Sequence, residues 1–120
     1  EKTRFLIDIF TPNPLFLYRP KGARFNVLEY TDTALDEKIV VDESNQYDSD
    51  TEINELTWYF SSENKKDFAT EIFSMRMYYP SKMNQLLIDC GFKILHQWGD
   101  YYRSNLGEGS KLQIYDTCLA

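Results

Sequence analysis

The run Arg4-Phe5-Leu6-Ile7-Asp8-Ile9-Phe10 constrains this chain more than any other stretch. It is almost continuously apolar, the pattern of a strand covered on both faces, and such strands belong to parallel sheets packed between other layers. Thr11-Pro12-Asn13-Pro14 ends it at once. Proline has no amide hydrogen to give a ladder, and its ring bars a helix interior. The sequence therefore predicts a strand over 4–10 with a rigid exit, and places Asp8, Phe10 and Asn13 near its mouth.

Residues 15–36 are mixed, punctuated by Pro20 and Gly22, and carry no assignable element. Three strand-like runs follow, 38–47, 51–61 and 67–78, separated by the polar breaks Asp48-Ser49-Asp50 and Ser62-Glu63-Asn64-Lys65-Lys66. Short turns between three strands predict an antiparallel meander. In the third run the period of two sets Phe73, Met75, Met77 and Tyr79 on one side, which reads as core. Ile72, Ser74, Arg76 and Tyr78 then face water, a ligand or another domain.

Pro80 stands where a helix can begin, at a position that tolerates the missing amide. Met83, Leu86, Leu87 and Cys90 follow the spacing of one helical stripe, and Gly91 supplies the stop. Phe92, Ile94, His96 and Trp98 alternate with Lys93, Gln97 and Gly99, which predicts a strand over 92–98 with these four on a buried face. Gly99, Gly107 and Gly109 mark residues 99–110 as a loop, and 111–119 reads as a closing strand. The fold class expected is α+β: a small mixed or antiparallel sheet, one main helix and the three-stranded meander.

The charge narrows the function. Nineteen acidic against thirteen basic residues give −6, which argues against non-specific nucleic-acid binding and against docking on an anionic membrane. No apolar run approaches the roughly 20 residues that span a bilayer. Cys90 and Cys118 form no CxxC pair, and His96 is the lone histidine, so no metal site is expected. Two buried thiols in a cytoplasmic protein is the plain reading of the cysteines. The chain begins at Glu1, shows no secretory signal and enters an apolar strand by Phe5; it reads as a piece excised from something longer.

Several spaced motifs carry a family resemblance. Leu6-Ile7-Asp8-Ile9-Phe10-Thr11-Pro12-Asn13-Pro14 resembles the fifth strand of class I S-adenosylmethionine-dependent methyltransferases and its exit loop. Arg76-Met77-Tyr78-Tyr79-Pro80, the Met83-Leu86-Leu87 helix and Gly91-Phe92 resemble their last helix and sixth strand. Trp98-Gly99-Asp100-Tyr101, Ser104, Ser110 and Gln113-Ile114 resemble the closing hairpin. The resemblance implies a partial Rossmann-like fold in which strands 4–10, 92–98 and 111–119 are five, six and seven, with seven between the other two and antiparallel to both. It makes residues 24–79 an antiparallel insertion, a substrate lid, within a single C-terminal fragment spanning 1–120.

It also implies what is missing. The glycine-rich loop and the ribose-binding acidic residue of that family lie in an N-terminal half, and the glycines here make no G-x-G that opens a helix after a strand. S-adenosylmethionine is the cofactor of the full-length parent, and none is expected on this fragment. Strand 4–10 would lose its neighbour, strand four, and self-associate through the open edge. A small-molecule methyl acceptor is the expected partner. Candidate acceptor-side residues are Asp8, Phe10, Asn13, Arg76, Tyr78, His96 and Tyr101. Each has a plain structural alternative: a hydrogen-bonded Asp8 at a strand end, Arg76 paired with a carboxylate, His96 satisfied in the core, and Tyr101, with Trp58, Tyr59 and Tyr102, as packing rather than an aromatic wall. The competing reading is a non-catalytic α+β module that binds a ligand or a protein through the same open face. The coding sequence upstream of Glu1 separates the two, since a strand leading into a glycine-rich loop belongs only to the first.

Overall fold

The computed structural model describes residues 3–120. In chain order the elements are β1 (Arg4–Phe10), α1 (Pro14–Leu17), β2 (Phe25–Asp32), β3 (Glu37–Asp48), β4 (Ile53–Ser62), β5 (Ala69–Arg76), α2 (Pro80–Asp89), β6 (Phe92–Trp98) and β7 (Leu112–Leu119). They form two compact units, one joining Glu1–Pro12 to Tyr78–Ala120, the other Asn13–Met77. The second unit opens at Asn13 and takes in α1. Among the described residues no helix is long and apolar enough to cross a membrane.

The first unit is a three-stranded sheet in the order β1-β7-β6. β7 is antiparallel to both neighbours, the arrangement the resemblance implies for strands five, seven and six. As the central strand it carries Gln113, Tyr115 and Thr117, all fully buried. α2 lies on that face: Met83 and Leu87, one turn apart, pack on Tyr115, with Ile7, Ile9, Phe92 and Ile94 around them. Gly91, at φ +88°, takes the left-handed conformation just past the helix, where a side chain would be strained.

Two expectations fail here. The apolar stripe of α2 is narrower than its spacing suggests. Leu86 and Ile88 are exposed, and so is Cys90, which caps the helix; only Cys118 is a buried thiol. β1 is also not covered on both faces, since Leu6 is 64 % and Phe10 45 % exposed. α2, the only helix among the described residues of this unit, covers the face that carries Ile7 and Ile9. Leu6, Asp8 and Phe10 point the other way, and β1 is an edge strand.

The second unit is a sheet of four antiparallel strands in sequence order, β2-β3-β4-β5, where three were expected. The additional strand, β2, lies in the stretch the sequence left unassigned. It is exposed along almost its whole length, and its register shifts between Asn26 and Leu28. Neither alternation nor an apolar run could therefore mark it. Ile39, Val41, Leu56 and Leu17 are the buried apolar residues of the sheet and α1.

Candidate functional site

In the first unit the candidate residues gather on the sheet face opposite α2. Antiparallel pairing sets Asp8 across from Ile114 and Leu6 across from Asp116, so Arg4, Leu6, Asp8, Phe10, Ile114 and Asp116 share this face. The phenol of Tyr101, in the loop after β6, donates to Asp8 Oδ2. That bond and the nearby charge raise the Tyr101 pKa, so the phenol stays a donor.

His96 is on this open face too, not in the core. The register of β6 shifts between Ile94 and His96. A bulge inserts one unpaired residue and reverses every side chain beyond it. Ile94 therefore keeps its place under α2, while His96, its side chain 55 % exposed, stands over Asp116 with Nδ1 3.0 Å from Oδ2. Arg4 Nη1 donates to the same oxygen at 2.6 Å. The imidazole stacks on Trp98 at 5.2 Å and 7°, and the Arg103 guanidinium lies 5.4 Å from that indole. A histidine oriented through Nδ1 by a carboxylate leaves Nε2 free to accept a proton.

Asp116 was not singled out in the sequence. Its side chain is almost wholly buried, and Oδ1 has no partner among the described residues. Arg4, and then His96, hold its carboxyl below the ordinary value of 3.8. A carboxylate held low in the folded state adds stability that is present above the unfolded pKa and lost as pH falls through the folded one. Asp116→Asn is therefore expected to melt below wild type at neutral pH, the gap closing as pH drops under about 4. Parallel melting curves across that range would show that Asp116 gains nothing from these two bonds.

Tyr78 is a further correction. β5 ends at Arg76, so the alternation does not extend to residue 78. Tyr78 is half-buried against the Met83, Leu87 and Tyr115 cluster, and its carbonyl accepts from Gln113 Nε2 at 2.6 Å. It does not share a face with Arg76.

The second unit holds Asn13 and Arg76. Asn13 caps α1, its Oδ1 accepting from the Leu15 amide at 3.0 Å, which is a structural use of the side chain. Arg76 is exposed at the end of β5, with Ile53 opposite. No ion pair or hydrogen bond of its guanidinium is formed among the described residues. Phe73 and Met75 alternate with it on the more buried side. The same unit contains a network that sequence reasoning missed. Arg19 Nη2 meets Glu43 Oε2 at 2.7 Å, Arg19 Nε donates to Asn45 Oδ1 at 3.0 Å, and Trp58 Nε1 donates to Glu43 Oε1 at 3.0 Å. Asn45 Nδ2 in turn donates to Asn54 Oδ1.

No family model and no curated protein matches the sequence. The fold does match solved structures. The CcbJ methyltransferase of Streptomyces caelestis is similar with a TM-score of 0.70 at 16 % identity, over 98 % of this chain and 46 % of its own. An S-adenosylmethionine-dependent methyltransferase of Clostridium acetobutylicum gives 0.68 at 17 %, over 98 % and 44 %. This chain has the fold of part of an S-adenosylmethionine-dependent methyltransferase. It spans less than half the length of either neighbour.

Among the described residues no glycine-rich turn leads from a strand into a helix. A nucleotide-type cradle needs a glycine-rich turn from a strand into a helix. Here β1 reaches α1 through Thr11, Pro12 and Asn13, and β5 reaches α2 through Met77, Tyr78 and Tyr79, neither with a glycine. Gly107 and Gly109 precede a strand, and the Gly107 amide is spent on Ser110 Oγ at 3.1 Å.

Proposed function

We propose that this chain is the C-terminal, substrate-side part of an S-adenosylmethionine-dependent methyltransferase acting on a small-molecule acceptor, with the cofactor-binding half lying outside these residues. The observation behind it is the fold likeness over 98 % of the chain and under half of each neighbour. Methyl transfer is a displacement that depends on alignment and exclusion of water more than on a catalytic constellation. Asp8 with Tyr101, and His96 oriented by Asp116, offer polar groups for an acceptor on the first unit. Arg76 offers a planar fork to an anionic or polar acceptor on the second.

Titration calorimetry of the 120-residue chain should register no S-adenosylmethionine binding at micromolar cofactor, while a longer parent frame containing the other half should bind it and release S-adenosylhomocysteine. Micromolar binding by the 120 residues alone would overturn this assignment. In that parent, Arg76→Ala is expected to lower kcat/KM about ten- to a hundredfold, as for loss of a charge-assisted hydrogen bond. Its stability should change by under about 0.5 kcal/mol. Full activity in Arg76→Ala would move the acceptor contact to Asp8.

A further inference from the structure

The chain crosses between the two units twice, from Pro12 to Asn13 and from Met77 back to Tyr78. One side chain of the first unit holds both crossings. Gln113, in the central strand β7, is fully buried. Its Nε2 donates to the carbonyl of Phe10, the last residue of β1 before the chain leaves, at 3.3 Å. It also donates at 2.6 Å to the carbonyl of Tyr78, the first residue after the chain returns. Oε1 accepts from the Tyr115 hydroxyl at 2.6 Å. A primary amide has two donor hydrogens and one acceptor oxygen, and here all three are used. Turned over, the amide would set Oε1 against two carbonyl oxygens with no hydrogen between them.

The sheet does not need this amide to close, since β7 is paired along its backbone by β1 on one side and β6 on the other. An apolar residue of the same size would fill the space without the cost of burying a polar group. What the amide adds is a tie between two backbone segments that no ladder joins: β5 ends at Arg76 and α2 begins at Pro80, so residues 77–79 lie in neither. We propose that Gln113 is a clamp on both crossings, one buried amide holding the chain where it leaves the first unit and where it returns, so that the two open together. A carbonyl that loses this donor regains a partner by turning to water, which opens its crossing. Hinge motion of the second unit works through these covalent links and is therefore gated by the Gln113 bonds. A side chain with no exposed surface gains no neighbour from chain added elsewhere. The inference thus holds for these 120 residues and for a longer parent alike, and does not depend on the methyltransferase reading.

Hydrogen exchange read by NMR on the 120-residue chain tests the clamp. Two amides report on the crossings. Thr11 N donates to Lys111 O at 2.9 Å beside the first, and Met77 N to Glu52 O at 2.8 Å beside the second. In wild type the Gln113 Nε2 protons and both amides should share one protection factor, because a single opening exposes them all. Gln113→Met keeps the length and bulk of the side chain and removes both donors. Thr11 and Met77 should then exchange about ten- to a hundredfold faster, as for two lost hydrogen bonds, while the amides of β3, β4 and β6 keep their wild-type rates. Met77 and its acceptor Glu52 belong to the second unit. A substitution that merely loosened the core of the first unit would therefore quicken β6 and Thr11 and leave Met77 as it was. Unprotected Gln113 side-chain protons, or unrelated protection of Thr11 and Met77, would overturn the clamp in wild type alone, so the test stands even where Gln113→Met does not fold. A variant in which only one of the two amides quickens, neither does, or both merely keep pace with β6 would overturn it as well.

Discussion

Arg19→Ala is expected to destabilise the chain by about 3–5 kcal/mol, the cost of breaking a buried ion pair by removing one partner. The Arg19 side chain is 8 % exposed and that of Glu43 16 %, so neither charge is well solvated. Arg19 also donates to Phe16 O at 2.8 Å and lies over the Phe25 ring at 5.0 Å; truncation therefore loses packing as well as charge. Among the described residues, what remains is a carboxylate held by the Trp58 indole, and an Asn45 Oδ1 that has lost its Arg19 donor. Urea denaturation gives the size of the loss. A second substitution tests its cause. Glu43→Gln should cost stability in the native background, but be neutral or favourable once Arg19 is gone, because it then removes a charge without a partner. Additive effects, or a loss under about 1 kcal/mol, would mean that the pair is a surface ornament of α1.

Tyr115→Ala should cost the first unit a comparable amount, about 3–5 kcal/mol for an aromatic side chain removed from a closed core. Tyr115 is fully buried in the central strand, under Met83 and Leu87, and the cavity borders both β1 and β6 partners of β7. Its hydroxyl donates to Gln113 Oε1 at 2.6 Å, so Tyr115→Phe leaves a buried acceptor unpaired and should cost about 1–3 kcal/mol. Burial pushes the Tyr115 phenol up to about 12 from 10.0. A group whose folded pKa is raised adds stability that is present below the unfolded value and lost as pH rises toward the folded one. Wild type should therefore lose melting temperature between pH 10 and 12, and Tyr115→Phe should lose less over the same interval. Identical alkaline limbs would argue that the phenol ionises as readily folded as unfolded.

Elements that bury one face left a pattern in the sequence, and those that do not left none. β1, α2, β6 and β7 were legible because their apolar spacing answers to a single core around Tyr115. β2 was not, because an exposed edge strand with an internal register shift has no period to read. The same cause misplaced His96. Its neighbours Phe92 and Ile94 do face α2, and nothing in the letters signals the residue inserted after Ile94. For the site, Asp8 and Tyr101 were each named, yet their contact closes a separation of 93 residues and could only be found in three dimensions. Asp116 and Glu43 escaped notice because their cationic partners, Arg4 and Arg19, are remote in sequence.

The placement of β1 sets an order of events during synthesis. Arg4 and Asp116, neighbours in the finished sheet, are 112 residues apart in the chain, whereas every strand of the Asn13–Met77 unit pairs with the one next in sequence. Local pairings close fast and remote ones slowly. At ribosomal speeds of about 5–20 residues per second, β1 leaves the ribosome on the order of 5–20 s before β7. The inserted unit can fold in that interval, before the β7 partner of β1 has been made. A nascent chain stalled before residue 112 should therefore hold a folded middle and a β1 that still lacks β7, the form in which a holding chaperone would meet it.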